Sequence, residues 1–150
     1  MVQLEIVRQK VSRMRDTGLR LKACLPATSD TVANDPDVRD LVSFRVYLLV
    51  QDAIDICSHI IADQGWGPVP SLRDHFTFLS GKGVLPSGLA GQLAAAVKVR
   101  NLVGHGYAAV DPRKMHEAAI EIGALVDPFC AAVLEFAEGH SGGPCGSHSG

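Results

Sequence analysis

Residues 35–64 read DPDVRDLVSFRVYLLVQDAIDICSHIIADQ, and this stretch decides the fold. Asp35 is a typical helix N-cap and Pro36 suits the first helical position, so a helix is predicted to begin here. We expect it to run to about Gln64. Its middle, VYLLV (46–50), is apolar all round, which is typical of a helix that other helices surround. The stretch therefore predicts an all-α protein with this helix as its most buried element.

The segment before this helix is helical in pattern as well. Residues 2–23 place apolar side chains three and four positions apart, interrupted once at Gly18. Between this helix and the central one, turn-forming residues predict a loop: Pro26, Thr28, Ser29 and Asp30.

Three more helices are predicted in the second half of the chain: a short helix after Ser71, a helix from Pro86 or Ser87 to the Arg100–Gly104 region, and a last long helix from Asp111 to near Glu138. Pro128 lies inside the last helix and is expected to kink it or split it. The sum is an up-and-down bundle of four to five helices over residues 1–138. The Gly- and Ser-rich tail 139–150 is expected to be disordered.

Composition excludes several classes of protein. Hydrophobic residues make up 47% of the 150 residues and charged residues 20%, so the chain is neither disordered nor fibrous. No apolar run approaches the roughly 18 residues of a membrane span, and the first residues lack a signal-peptide pattern. We therefore expect a cytoplasmic protein that is not a membrane protein. The net charge of −2 gives no global case for nucleic-acid binding, although residues 1–24 hold six basic and two acidic residues.

Several other side chains are interpreted as structural. The four cysteines show no paired spacing, so neither a zinc motif nor a redox motif is predicted, and we expect reduced thiols. Cys57 and Cys130 are interpreted as small core residues and Tyr47 as part of the core. Trp66 is interpreted as a loop anchor and His116 as a surface residue.

The segment RNLVGHGY (100–107) places a guanidinium, an amide, an imidazole and a phenol within eight residues. In an uninterrupted helix, Arg100 and His105 would lie about 140° apart around the axis. They can share one site only if the helix ends inside the segment, which Gly104 or Gly106 permits by adopting a positive φ.

These groups suit phosphodiester cleavage. A guanidinium holds two phosphate oxygens, and an imidazole exchanges a proton near neutral pH. In RNA, the 2′-OH attacks the neighbouring phosphorus once it is deprotonated, so the reaction needs neither a metal nor another cofactor. Asn101 is expected to orient His105 or to donate to a phosphate oxygen. From the residues alone, a surface cation and a helix-capping histidine remain the alternative.

Asp52, Asp55 and His59 are spaced i, i+3 and i+7 on the central helix, so they are predicted to share one face. Three interpretations stay open for them: a divalent metal site, support for the Arg100–His105 cleft or a dimer interface, or plain surface.

The segment RNLVGHGY resembles the Arg-Asn-x-x-x-His-x-Tyr signature of the HepT-like toxins of the HEPN superfamily. The resemblance covers about residues 1–138 and includes QDAIDICSHIIADQG, PVPSLRDHFTFLSGKGVLP and the VDPRK that follows the motif. It implies a helical homodimer and a metal-independent ribonuclease that cleaves RNA, with tRNA as one candidate, by transphosphorylation. By position, Arg100 and His105 would line a cleft at the dimer interface.

The resemblance also implies a partner. In such type VII toxin–antitoxin systems, an MntA-like nucleotidyltransferase antitoxin silences the toxin by transferring AMP to the motif tyrosine, which is Tyr107 here. Relatives carry a bulkier apolar residue before the histidine, where this chain has Gly104, so we expect a looser placement of His105. The alternative function is a non-catalytic nucleotide- or RNA-binding partner of a minimal nucleotidyltransferase.

Overall fold

The structure, a computed structural model, describes residues 3–106 and 110–141, and these form seven α-helices without a strand. The helices are α1 (Leu4–Cys24), α2 (Ser29–Asn34), α3 (Pro36–Asp63), α4 (Leu72–Gly81), α5 (Ser87–Gly104), α6 (Pro112–Gly123) and α7 (Val126–Ser141). The predicted all-α class is confirmed. No helix of these residues has the length and apolar character needed to cross a bilayer.

Helix α3 is the centre of the bundle and packs against α1, α2, α4, α5 and α6. It begins as predicted, because the Asp35 side chain accepts hydrogen bonds from the backbone amides of Asp37 (3.0 Å) and Val38 (3.3 Å). On the side that faces the bundle its middle is buried, including Val46, Leu49 and Val50, whereas Tyr47 and Leu48 are only partly buried. Because α1 and α5 pack against α3, polar side chains of α3 reach both of these helices.

The interruption at Gly18 in the α1 pattern marks a close approach of two helices. A β-carbon on Gly18 would lie 3.4 Å from both Cγ atoms of Val126, at the start of α7. Gly18 therefore faces the core side of α1 and lets α7 come close. It interrupts the apolar periodicity only because glycine has no side chain.

The last predicted helix is split in two, as Pro128 indicated. Helix α6 ends at Gly123 and α7 begins at Val126, so Pro128 occupies the third position of α7. An N–H is not needed there, because the first N–H groups of a helix have no partner within it. Helix α7 then continues to Ser141, three residues past the predicted boundary at Glu138. The rest of the expected tail, 142–150, lies outside the described residues.

Two predictions, one for the segment before α3 and one for α6, were wrong. The predicted loop contains helix α2, whose six residues are too few to stand alone and which is held by the fully buried Val32. His116 was expected at the surface, but it is only 9% exposed. Its Nε2 lies 2.9 Å from the carbonyl oxygen of Pro26, because the segment before α2 covers the start of α6. Trp66, in contrast, packs against Phe78 and Phe136 as a loop anchor should.

Candidate functional site

The motif 100–107 spans the end of α5, but the helix ends too late to bring His105 round to the Arg100 side within one chain. The amide of His105 still donates an α-helical hydrogen bond to the Asn101 carbonyl (3.0 Å), and the amide of Gly106 donates to the Val103 carbonyl (3.2 Å). The positive φ, +112°, falls at Gly106. The positive φ thus comes after His105, and the His105 backbone remains on the α5 spiral.

The guanidinium of Arg100 is half-buried and lies against α3. Its Nε and Nη2 donate to one acceptor, Gln51 Oε1, at 3.2 and 2.7 Å. Nη2 also donates to the Tyr47 hydroxyl at 3.3 Å, and Nη1 donates to Asn101 Oδ1 at 3.0 Å. The Tyr47 ring adds a cation–π contact, with its centroid 5.0 Å from Cζ. Three neutral side chains therefore fix the direction of this cation.

Gln51 and Tyr47 are site residues that the sequence analysis missed. Tyr47 was interpreted as core, but it is only partly buried and its hydroxyl reaches Arg100. Gln51 in turn donates from Nε2 to Asp55 Oδ1 at 3.0 Å. Tyr47, Gln51 and Asp55 follow one another at four-residue intervals, which places them on one face of α3. A row of polar side chains at four-residue intervals in an otherwise apolar helix is the sequence pattern that would have indicated these site residues.

The remaining motif residues are placed differently. His105 is exposed at the C-terminal cap of α5, and its side chain makes no hydrogen bond or ion pair with another residue that the structure describes. Asn101 contacts Arg100 rather than His105. Tyr107, the predicted modification site, lies outside the described residues.

Comparison with known proteins identifies the family. The profile of the HepT-like family, described as ribonuclease HepT-like, matches residues 14–133. The chain belongs to the HepT-like family. This confirms the resemblance that the motif 100–107 carries.

Solved structures show that the HepT-like fold extends over most of the chain. A toxin–antitoxin crystal structure with AMP-PNP superposes with a TM-score of 0.79 at 20% identity, covering 86% of this chain and 97% of that one. A tri-AMPylated Shewanella oneidensis HEPN toxin in complex with MNT antitoxin gives 0.78 at 20% identity, with 89% and 98% covered. YutE, a cytosolic protein of unknown function from Bacillus subtilis, gives 0.77 at 12% identity, with 92% of each chain covered. A search of curated proteins finds no match by sequence.

In this HepT-like chain, the predicted stripe of Asp52, Asp55 and His59 does not act as one group. Asp52 faces α1, where its Oδ1 lies 3.1 Å from Arg13 Nη2. Only Asp55 reaches the Arg100 network, and His59 Nε2 lies 3.0 Å from Asp63 Oδ2. Positions three apart on a helix differ by about 60° around the axis, which is enough to direct Asp52 and Asp55 towards different neighbours.

The metal interpretation of this stripe finds no support. Within residues 3–106 and 110–141, no group of three or more His, Cys, Asp or Glu side chains is placed to hold a metal ion. Burial raises the pKa of Asp52 above its ordinary value, and the facing Arg13 offsets part of that effect. Asp52 is therefore best described as one half of a structural ion pair between α1 and α3.

The chemistry available at the site is anion binding beside a proton carrier. The residues that hold Arg100 are all uncharged, and no ion pair joins it to a carboxylate in the described part of the chain. Its positive charge thus remains available to a phosphate, while the exposed imidazole of His105 stands five residues further along the same helix end.

Proposed function

We propose that this HepT-like protein is the toxin ribonuclease of a two-gene toxin–antitoxin system, with Arg100 and His105 as its catalytic residues. The proposal depends on the end of α5. There Arg100 is fixed by uncharged side chains, so that its positive charge is not neutralised, and His105 is exposed. Membership of a family described as ribonuclease HepT-like supports the reaction class.

The reaction is transphosphorylation of RNA. His105 removes the proton of a 2′-OH, and that oxygen forms a bond to the adjacent phosphorus. The bond from phosphorus to the 5′-oxygen breaks, leaving a 2′,3′-cyclic phosphate, and the departing oxygen receives the proton. Arg100 stabilises the charge that builds on the phosphoryl oxygens between these two events. No metal is needed in this scheme, since the nucleophile is part of the substrate.

A symmetric homodimer suits this geometry. The His105 backbone continues the α5 spiral, so its side chain starts about 140° around the axis from that of Arg100. A second copy packed beside this end of α5 brings another Arg100 and another His105 to the same cleft. Leu102 and Phe44, both large apolar residues that are exposed in the single chain, supply surface for such packing.

The proposed partner is an MntA-like nucleotidyltransferase antitoxin that transfers AMP to Tyr107. The similarity in fold to a tri-AMPylated Shewanella oneidensis HEPN toxin in complex with MNT antitoxin supports this regulation. AMP on Tyr107 would add bulk and negative charge two residues from His105, which would oppose the approach of an RNA phosphate.

The catalytic proposal is tested by RNA cleavage in vitro and by growth after expression without the partner. Arg100→Ala and His105→Ala are each expected to abolish cleavage and growth arrest while leaving thermal unfolding near that of the wild type. Lys98→Ala is the matched control, because it removes one positive charge from the exposed side of the same helix. A folded double variant that cleaved RNA at the wild-type rate would show that the mechanism is wrong.

The same experiment separates the toxin from the rival function. Because His105 is exposed and Gly104 precedes it, a non-catalytic RNA-binding partner of the nucleotidyltransferase is the second candidate. A toxin arrests growth when expressed alone, whereas a binding partner leaves growth unchanged.

Regulation is tested by the intact mass of this chain after co-expression with the nucleotidyltransferase. The proposal predicts a gain of whole AMP units, which Tyr107→Phe abolishes. The chain has only two tyrosines, so peptide mapping distinguishes Tyr107 from Tyr47. A gain that persists in Tyr107→Phe would place the modification elsewhere.

A further inference from the structure

Gln51 holds one edge of the Arg100 guanidinium. A single oxygen, Oε1, accepts from the adjacent Nε (3.2 Å) and Nη2 (2.7 Å), so the contact fixes the rotation of the guanidinium plane as well as its position. The two residues are 49 positions apart in sequence and belong to α3 and α5. The contact therefore ties the end of α5 to the central helix.

Asp55 determines which way the Gln51 amide points. Gln51 Nε2 lies 3.0 Å from Asp55 Oδ1, one helical turn further along α3. An ionised carboxylate only accepts hydrogen bonds, so the NH₂ group of Gln51 must face Asp55. Its oxygen is then left to face Arg100.

The charge of the residues around Arg100 distinguishes it from a purely structural arginine. Arg13, which joins α1 to α3, pairs directly with the carboxylate of Asp52 at 3.1 Å. Arg100 is held by the uncharged Gln51. The carboxylate of Asp55 contacts Gln51 and not Arg100. The arrangement orients the cation without neutralising it.

The contacts also leave donors for a ligand. A guanidinium has five N–H groups. The contacts with Gln51, Tyr47 and Asn101 leave one N–H of Nη1 without an acceptor among the described residues. The contact with the Tyr47 hydroxyl is the longest, at 3.3 Å, so its N–H is the next one that a phosphate oxygen would take.

We propose that Gln51 is a positioning residue, which holds Arg100 for an RNA phosphate through a neutral acceptor while Asp55 orients its amide. The inference rests on the proposed ribonuclease function and goes further, because it names the group on which the charge and direction of Arg100 depend.

The first test changes the charge of the acceptor. Gln51→Glu keeps an acceptor on Arg100 but pairs the cation with a carboxylate. Binding of a fluorescein-labelled 2′-O-methyl RNA, which lacks the attacking hydroxyl, is measured by anisotropy over a range of salt concentrations. We expect affinity to fall about tenfold and the salt slope to shrink by about 0.7, the value of one phosphate contact on a single strand. Gln92→Glu is the matched control, since it adds the same charge on the exposed side of α5.

The second test removes the acceptor while keeping volume and charge. Gln51→Met leaves Arg100 cationic but free to rotate, so the salt slope is expected to remain that of the wild type. Its kcat for RNA cleavage is expected to fall about 100-fold, the scale of a 1 Å misplacement. A residue with a merely structural role would not separate these two effects. Thermal unfolding confirms that each variant is folded.

The outcomes separate this inference from the proposed function. If the wild type binds the uncleavable RNA but cleaves no RNA, the proposed ribonuclease function is wrong. The comparison of Gln51→Glu with Gln92→Glu then still tests whether Gln51 positions Arg100 for a phosphate. Equal affinity and salt slope in those two variants, wild-type kcat in Gln51→Met, or no binding by the wild type would each overturn the positioning role.

Discussion

The ring of Tyr47 lies against Gly104, with its Cε2 atom 3.5 Å from the point that a β-carbon on Gly104 would occupy. That separation is an ordinary van der Waals contact, so the ring leaves room for a methyl group. The same ring lies 5.0 Å from Cζ of Arg100. One aromatic side chain of α3 therefore contacts both the cation and the helix end that carries His105.

Gly104→Ala is expected to stabilise the protein. Gly104 ends α5 without a positive φ, and alanine fills the free space while restricting the unfolded chain. The expected gain is about 0.4–1 kcal/mol in the free energy of unfolding. For a chain of this size, 1 kcal/mol raises Tm by roughly 2–4 °C, which thermal unfolding followed by circular dichroism resolves.

Gly106→Ala provides the contrast, because Gly106 has a φ of +112° that residues with a β-carbon rarely adopt. A loss of about 1–3 kcal/mol is expected there. Equal effects of the two substitutions would contradict the described end of α5.

The fold and the end of α5 could be predicted because their signals are local. The cap at Asp35, the cap at Ser71 and the break before Pro128 each depend on a few neighbouring residues. The two glycines indicated a stop inside 100–107, but they did not indicate that His105 would stay on the α5 spiral, about 140° from Arg100.

The contacts that hold Arg100 could not be predicted in the same way. Gln51 and Arg100 meet because α3 and α5 pack together, and helical periodicity gives no information on which residues of two helices face each other. Helix α2 escaped prediction for a related reason, since packing of Val32, not its own sequence, stabilises it.

Arg13→Ala is expected to destabilise the protein by about 1–3 kcal/mol at pH 7, because it leaves the carboxylate of Asp52 buried without its partner. Chemical denaturation measures the difference. Arg20→Ala is the matched control: its ion pair with Asp16 is exposed on both sides, so a loss of only about 0–1 kcal/mol is expected. In an Asp52→Asn background, Arg13→Ala should cost little.

The cost of Arg13→Ala is also expected to depend on pH. The folded-state pKa of Asp52 lies above the reference value of 3.8, chiefly through burial, so this carboxyl favours folding at low pH and loses that contribution as pH rises through the folded pKa. Without Arg13 the pKa rises further. The difference between variant and wild type should therefore be largest near neutral pH and shrink on acidification, as Asp52 becomes protonated in both. A difference that grew on acidification would contradict the ion pair.

Cys57 and Cys130 are expected to resist thiol reagents in the folded protein. Burial raises the pKa of Cys57 strongly and that of Cys130 to about 11, so little thiolate forms at pH 8 and access is blocked as well. Cys24 is only partly buried and should react before either of them. Maleimide labelling for increasing times, followed by peptide mass mapping, checks the order. Labelling of Cys57 as fast as Cys24 without denaturant would contradict the packing of α3.

His116→Ala is expected to cost about 1–3 kcal/mol, because it removes a buried hydrogen bond and leaves a carbonyl without its donor. The ring N–H at Nε2 donates to the Pro26 carbonyl at 2.9 Å and so joins α6 to the segment before α2. His75→Ala is the matched control, since His75 is only partly buried and its Nδ1 contacts the Ser71 carbonyl one turn away on the same helix, so a change within about 0.5 kcal/mol is expected. Urea denaturation of both variants measures the difference.

Hydrogen exchange adds a local readout, because loss of this bond should speed exchange of the α2 amides more than those of α4. Equal stability of the two variants would show that the Pro26 contact contributes nothing to the fold.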